Sequence, residues 1–253
     1  RLRVRRNKKG KRTRKGRRRF HTDWQEPKLL IIYVVGPDGR PCRSWAPIID
    51  GTLQGPDAIF ALVLSYAKQI ALGHADKVLF VADGAPWIWT RIEGLVTALG
   101  LSPTQVLALV DVYHAAKQLS DAVKLRRWSA KKRARWLNKY RGLLRRGQVD
   151  TVIQALSQIC VGRNAGAIGT HLRYFVKNSE RFAYVKIARL KLPRGSGAME
   201  SAIRRVVNLR IKGASIYWLP ENAEAILLLR SFYKANRWNV LRRLATCPAA
   251  VAQ

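Results

Sequence analysis

Three acidic residues stand where they could do chemistry. Asp83 closes the apolar run Val78-Leu79-Phe80-Val81-Ala82 and is followed by Gly84-Ala85-Pro86; Asp111 closes a second run, Val106 to Val110; Glu200 follows the loop Gly195-Ser196-Gly197. An apolar, β-favouring run that ends in Asp-Gly, with Pro at a first helical position, predicts a buried strand feeding a helix. Acids at the carboxyl ends of such strands sit where ligands bind in open α/β sheets. Carboxylates from two strand ends and a nearby helix suit phosphodiester chemistry with two divalent ions about 3.5 to 4 Å apart. Gly195 and Gly197 would let backbone approach a phosphate closely.

Each acid also has a plainer reading. Asp83 could cap the helix that starts near Pro86, and Asp111 the helix Val112 to Leu125. His114, in the first turn of that helix, reads as an ordinary satisfied histidine. Glu200 with Arg204 is an i,i+4 pair worth a few tenths of a kcal/mol.

The elements that must position these residues follow from periodicity. Arg1 to Arg6 reads as the end of a strand that begins upstream, running into a solvated basic loop, Asn7 to Arg19. Lys28 to Val35 is a strand, and Gly36-Pro37-Asp38-Gly39 turns it into Pro41 to Ile49. Asp57 to Ala71 is a helix with apolar residues at helical spacing, followed by the Asp83 strand, the helix Trp87 to Leu99 and the Asp111 strand. Hairpin, helix, strand, helix, strand predicts a mixed α/β sheet of the ribonuclease-H-like kind, with one further strand before residue 1.

From Val112 to Leu190 only helical patterns follow, which marks an inserted all-helical subdomain. Ala130 to Leu144 is its most basic stretch, with Trp128, Trp136 and Tyr140 interleaved among lysines and arginines. Such a face is either solvated surface or the lining of a nucleic-acid channel. Beyond the loop Leu192 to Gly197, the spacing predicts a helix over Ala198 to Lys212. Its polar stripe is Glu200, Arg204, Asn208 and Lys212, and its apolar side Ile203, Val206, Val207 and Ile211. A last helix, Glu221 to Asn236, starts after Pro220. The organisation expected is therefore a basic strand tail and loop (1–20), a first part of the core (21–111), the helical insertion (112–190), closing helices with Glu200 (191–240) and a tail (241–253).

The charge balance selects the partner. Forty-eight Lys and Arg against 15 Asp and Glu give +33, and residues 1–19 alone carry thirteen cations and no acid. That much self-repulsion calls for a polyanion, most simply nucleic acid. The chain is also 48% hydrophobic with eight Trp, which argues for a folded domain and against a disordered basic tail. Cys42, Cys160 and Cys247 lack zinc-site spacing and read as reduced packing residues in a cytosolic protein. The longest apolar runs, such as Leu29 to Val35, fall short of the roughly 18 to 20 residues needed to span a bilayer.

Asp83-Gly84-Ala85-Pro86-Trp87-Ile88, Val110-Asp111-Val112-Tyr113-His114 and Gly195-Ser196-Gly197-Ala198-Met199-Glu200-Ser201 together resemble the second half of a bacterial insertion-sequence transposase of the DDE type. Asn208 to Gly213 and Trp218 to Trp238 extend the likeness. It implies a ribonuclease-H-like catalytic core with a helical insertion before the last acid, cutting and rejoining DNA with Mg²⁺ or Mn²⁺, two ions in all. Asp83 would be the second acid and Glu200 the third, both metal ligands. Asp111 and His114 match the Asp-x-x-His element of Mutator-related transposases, in a supporting role.

Arg194, Gly195, Ser196, Gly197, Arg204, Asn208 and Lys212 would contact DNA. The resemblance further implies a homo-oligomer on the element's ends and target DNA, at the nucleoid of a bacterial cytoplasm, with no membrane partner. The first Asp has no match here, since Asp23 precedes a strand, Asp38 lies in the turn and Asp50 ends the wrong strand. It is expected upstream of Arg1, so this chain would be a carboxyl-terminal portion, inactive alone. The alternatives are a non-catalytic nucleic-acid-binding relic, or a ribonuclease-H-like nuclease or resolvase that cuts without joining.

Overall fold

A computed structural model describes residues 1–7, 12, 14–16 and 20–246. The expected basic loop from Asn7 to Arg19 lies largely outside the described residues, as do Cys247 and the rest of the tail beyond residue 246. The architecture is mixed α/β with helix predominating. The described strands form three two-stranded sheets, and the chain divides into two compact units. The first takes residues 1–36, 40–70 and 197–253, and the second 37–39 and 71–196.

In the first unit, β1 (Leu2–Asn7) pairs antiparallel with β2 (Phe20–Gln25), and β3 (Lys28–Ile32) with β4 (Ile48–Thr52). The strand expected at the start of the chain is present; β2 was not expected. Strand β4 begins later than the hairpin reading placed it, at Ile48, although the turn itself closes with the Gly36 amide donating to Arg40 O and the Cys42 amide to Val34 O. All five residues of β4 are buried, because helices from both ends of the chain pack on it. One is α1 (Pro56–Gln69), which starts at a Pro in its first turn and buries Ile59, Tyr66 and Ala67. Another is α9 (Pro220–Lys234), which buries Ala223, Leu227 and Phe232. The core joins Leu2 and Ile49 to Ala202, Val206, Val207, Ile211 and Leu227, so strands near the amino end are closed by helices near the carboxyl end. The short helix α10 (Trp238–Thr246) ends the described chain.

In the second unit, β5 (Val78–Ala82) and β6 (Val106–Val110) are parallel neighbours joined by α2 (Pro86–Ala98), the βαβ connection expected of parallel strands. The helices α3 (Val112–Lys124), α4 (Ala130–Arg145), α5 (Val149–Ile159), α6 (Ala165–Lys177) and α7 (Tyr184–Arg189) follow. The segment 112–190 is all-helical, as its periodicity predicts. Leu119, Val123, Leu144, Leu156, Ile168 and Phe175 are among its fully buried side chains. Tyr184 bolts this bundle to the strands by donating its hydroxyl to Val110 O at 2.9 Å. No helix among the described residues is long and apolar enough to cross a membrane. Cys42 and Cys160 are thiols, not disulfides.

Candidate active site

The register of β5 and β6 decides where the two aspartates stand. Val78 faces Val106 and so on to Ala82 facing Val110, and the Asp111 amide donates to Ala82 O at 2.8 Å. Asp83 and Asp111 therefore leave the same edge of a parallel pair, side by side, each heading a helix.

Their environments differ sharply. Asp111 is fully buried. Its Oδ1 accepts from the amides of Tyr113 (2.7 Å) and His114 (2.8 Å), capping α3; its Oδ2 accepts from the amide of Ser196, and the Ser196 hydroxyl adds a further bond. Burial pushes its carboxyl up, but the bonds from Ser196, His114 and Tyr113 outweigh burial and hold it below the ordinary carboxylate value. Both oxygens are committed, so this acid anchors a helix and a loop and has little left for a metal. A Cβ on Gly195 would stand 3.3 Å from Asp111 Oδ2 and 3.2 Å from the Tyr113 ring, so glycine there lets the loop close on the carboxylate. Tyr113 and His114 are exposed beside it, as is Arg194.

Asp83 is half-buried. One oxygen, Oδ1, accepts from the Ala85 amide at 2.9 Å, and the main-chain oxygen accepts from Trp89 Nε1 at 2.9 Å. Among the described residues Oδ2 takes no hydrogen bond. Asp83 is thus both the cap of its turn and a carboxylate with one oxygen to spare, so it fits a metal ligand.

No family model, curated protein or solved structure matches this chain.

The turn after Asp83 is gripped from the helical side of the same unit. A Cβ on Gly84 would fall 2.2 Å from Tyr174 Cε2, so only glycine fits beneath that ring. Asn178 is buried and donates from Nδ2 to Tyr174 O at 2.9 Å, with Gly84 O at 3.5 Å. The Arg181 guanidinium lies 4.8 Å over the Trp89 ring. Burial, then the Asp83 carboxylate, raises the Tyr174 hydroxyl's pKa against a weaker opposing pull from the Gly84 amide, and that hydroxyl is shut from solvent and makes no well-formed hydrogen bond among the described residues. Tyr174, Asn178 and Arg181 were not anticipated: they stand about ninety residues from the turn and carry no local signal. Trp89 was inside the strand-turn-helix pattern, but its indole bond was not foreseen.

In the first unit Glu200 lies on α8 (Gly197–Ile203), exposed, and no ion pair joins it to Arg204 among the described residues. Arg204, Asn208 and Lys212 are also exposed, and Val206, Val207 and Ile211 are buried. Ile203, assigned to the apolar side, is 36% exposed. The regular helix expected over 198–212 is corrected as well. Residues Arg204–Asn208 form a π-helical segment, and the amides of Leu209 and Lys212 reach back five residues to Arg204 O and Val207 O. The physical reason is Arg230 on α9, which donates from Nε to Val206 O at 2.7 Å and from Nη2 to Arg205 O. A side chain inserted into the helical ladder frees carbonyls and shifts the bonding. The stripe at four-residue spacing therefore does not lie along one straight line, because wider turns separate Glu200 from Asn208 and Lys212.

Among the described residues, no three His, Cys, Asp or Glu side chains gather closely enough to hold a metal ion.

Proposed function

We propose that the protein is the catalytic portion of a DDE-type insertion-sequence transposase with a ribonuclease-H-like core, which cuts DNA at the element's ends and joins it to a target. The observation that carries this reading is the pair of aspartates at the ends of parallel β5 and β6, one saturated and buried, the other half-exposed with an oxygen to spare. Around it stand a chain of +33 and a Gly-Ser-Gly loop tied to Asp111. A π segment directly after the helix of Glu200 adds weight, since such bulges concentrate at functional sites.

In this reading Asp83 and Glu200 are the metal ligands contributed by this chain. Bound Mg²⁺ or Mn²⁺ would activate the attacking oxygen and stabilise charge on the transferring phosphate. The chain's own part is positional. The Ala85 amide holds one Asp83 oxygen so that the other faces outward, and Asp111 fixes the loop whose Arg194 and Gly195-Ser196-Gly197 backbone meet a phosphate. Arg204, Asn208 and Lys212 hold the DNA strand. His114, exposed beside Asp111, contacts DNA or supports the site. Protomers pair on two DNA ends, in the cytoplasm at the nucleoid.

The test is strand cleavage by the complete gene product on DNA carrying the element's ends. Asp83→Asn and Glu200→Gln are expected to lose Mg²⁺-dependent nicking by at least about a hundredfold while DNA binding stays within about twofold. A second reading, DNA binding without cutting, is favoured by the absence of a three-acid cluster among the described residues. It requires binding that falls steeply with salt and ignores Mg²⁺.

A further inference from the structure

Helix α4 is a poor core helix. Its only buried residue is Leu144, yet it carries two large aromatic side chains and follows a third. Between Asp121 and Asp150 the chain places eleven Lys and Arg and no acid. Lys131, Lys132, Arg135, Lys139 and Arg145 are exposed. The aromatic side chains, half-buried, form a row: Trp128 to Trp136 with ring centroids 6.3 Å apart, and Trp136 to Tyr140 at 4.3 Å. Lysines flank the row, Lys132 Nζ 4.7 Å from the Trp128 ring centre and Lys139 Nζ 5.3 Å from that of Tyr140.

We propose that this face of α4 binds single-stranded DNA, the Trp128–Trp136–Tyr140 row stacking unpaired bases and the flanking lysines and arginines following the phosphates. Charge alone would serve a duplex equally well. The aromatic row is the discriminating feature, because the faces of paired bases are buried in the stack and only unpaired ones can lie against a ring. Lys132 and Lys139 lie over the Trp128 and Tyr140 rings by cation–π attraction, so a base that stacks on either ring displaces an ammonium group that stays within reach of the nucleotide's phosphate. The choice of DNA rests on the function proposed above, since strand cleavage creates unpaired ends. The surface itself needs neither Asp83 nor a metal.

The experiment is fluorescence anisotropy of the full chain with a labelled oligothymidylate of about 16 nucleotides, long enough for one such site. A duplex of the same length is the comparison, with EDTA present so that no cleavage can contribute. The single strand is expected to bind about tenfold or more tighter than the duplex. Replacing Trp136 and Tyr140 together by Leu should abolish that preference while duplex binding stays within about twofold; replacing both by Phe, which keeps the rings, should retain most of it. Lys132→Gln with Lys139→Gln should weaken both ligands and reduce the salt dependence. Equal affinity for the two ligands, or equal effects of the Leu and Phe pairs, would overturn the proposal. Because the readout is metal-free binding, its failure would leave the cleavage test standing, and failed cleavage would leave the surface standing.

Discussion

Asp111 and Ser196 are joined across 85 residues of chain: one aspartate oxygen accepts the serine amide, while its twin caps α3. One buried carboxylate thereby fixes the end of β6, the start of α3 and the Gly-Ser-Gly loop together. Asp111→Asn keeps the size but replaces an accepting oxygen with a donor, which leaves a part-buried amide facing it unpaired. The expected cost is about 3 kcal/mol in urea denaturation. The depressed carboxyl pKa gives the sign of the pH effect. The stability Asp111 supplies is present above its unfolded value and is lost as pH falls through the lower folded value. Wild-type stability is therefore expected to fall in strong acid, below the ordinary carboxylate range, with a slope that Asp111→Asn flattens.

Asp50 is a buried acid of opposite sign. It accepts from Tyr66 Oη at 2.6 Å and from the Gly51 amide at 2.7 Å, yet burial outweighs both bonds and its pKa is raised. The fold favours its protonated form. Its contribution is complete below the unfolded pKa and is lost as pH rises through the folded one. Denaturation midpoints measured from the ordinary carboxylate value up to neutrality should decline in wild type, and less so in Asp50→Asn.

The grip on the Asp83 turn separates shape from hydrogen bonding. Gly84→Ala drives a methyl into the Tyr174 ring and is expected to destabilise by about 1 to 3 kcal/mol. Tyr174→Phe removes a hydroxyl that is buried without a well-formed hydrogen bond among the described residues and should be neutral to stabilising, by up to about 1 kcal/mol. Thermal denaturation of the two variants checks both signs.

Arg230 holds the π segment open. Arg230→Met retains most of its bulk but leaves the carbonyls of Arg205 and Val206 without their donor, at an expected cost of about 1.5 to 3 kcal/mol in urea denaturation. Amide hydrogen exchange in that variant should rise over residues 204–212 before it rises elsewhere in α8 and α9.

What the sequence made legible was the local chemistry with strong patterns. The Val106 to Val110 strand has the bounds its apolar run marks, and Pro56, Pro86 and Pro220 each open a helix. Strand β2 was missed because Phe20-His21-Thr22-Asp23-Trp24-Gln25 does not alternate cleanly, and its existence depends on pairing with β1. The π segment was missed because a four-residue polar stripe assumes 3.6 residues per turn, whereas the bonding here is set by Arg230 from another helix. Tyr174 and Asn178 reach Gly84 only through the tertiary fold; no spacing along the chain encodes that meeting.

Asp83 is proposed to be a metal-binding catalytic carboxylate and not only the cap of its turn. The most direct measurement is Mg²⁺-dependent nicking of element-end DNA by the complete gene product and its Asp83→Asn variant, which keeps the Oδ1 cap to the Ala85 amide. Wild type is expected to nick, the variant to lose nicking by at least about a hundredfold, and the folding stabilities of the two to agree within about 1 kcal/mol. Nicking by the variant at the wild-type rate would contradict the proposal.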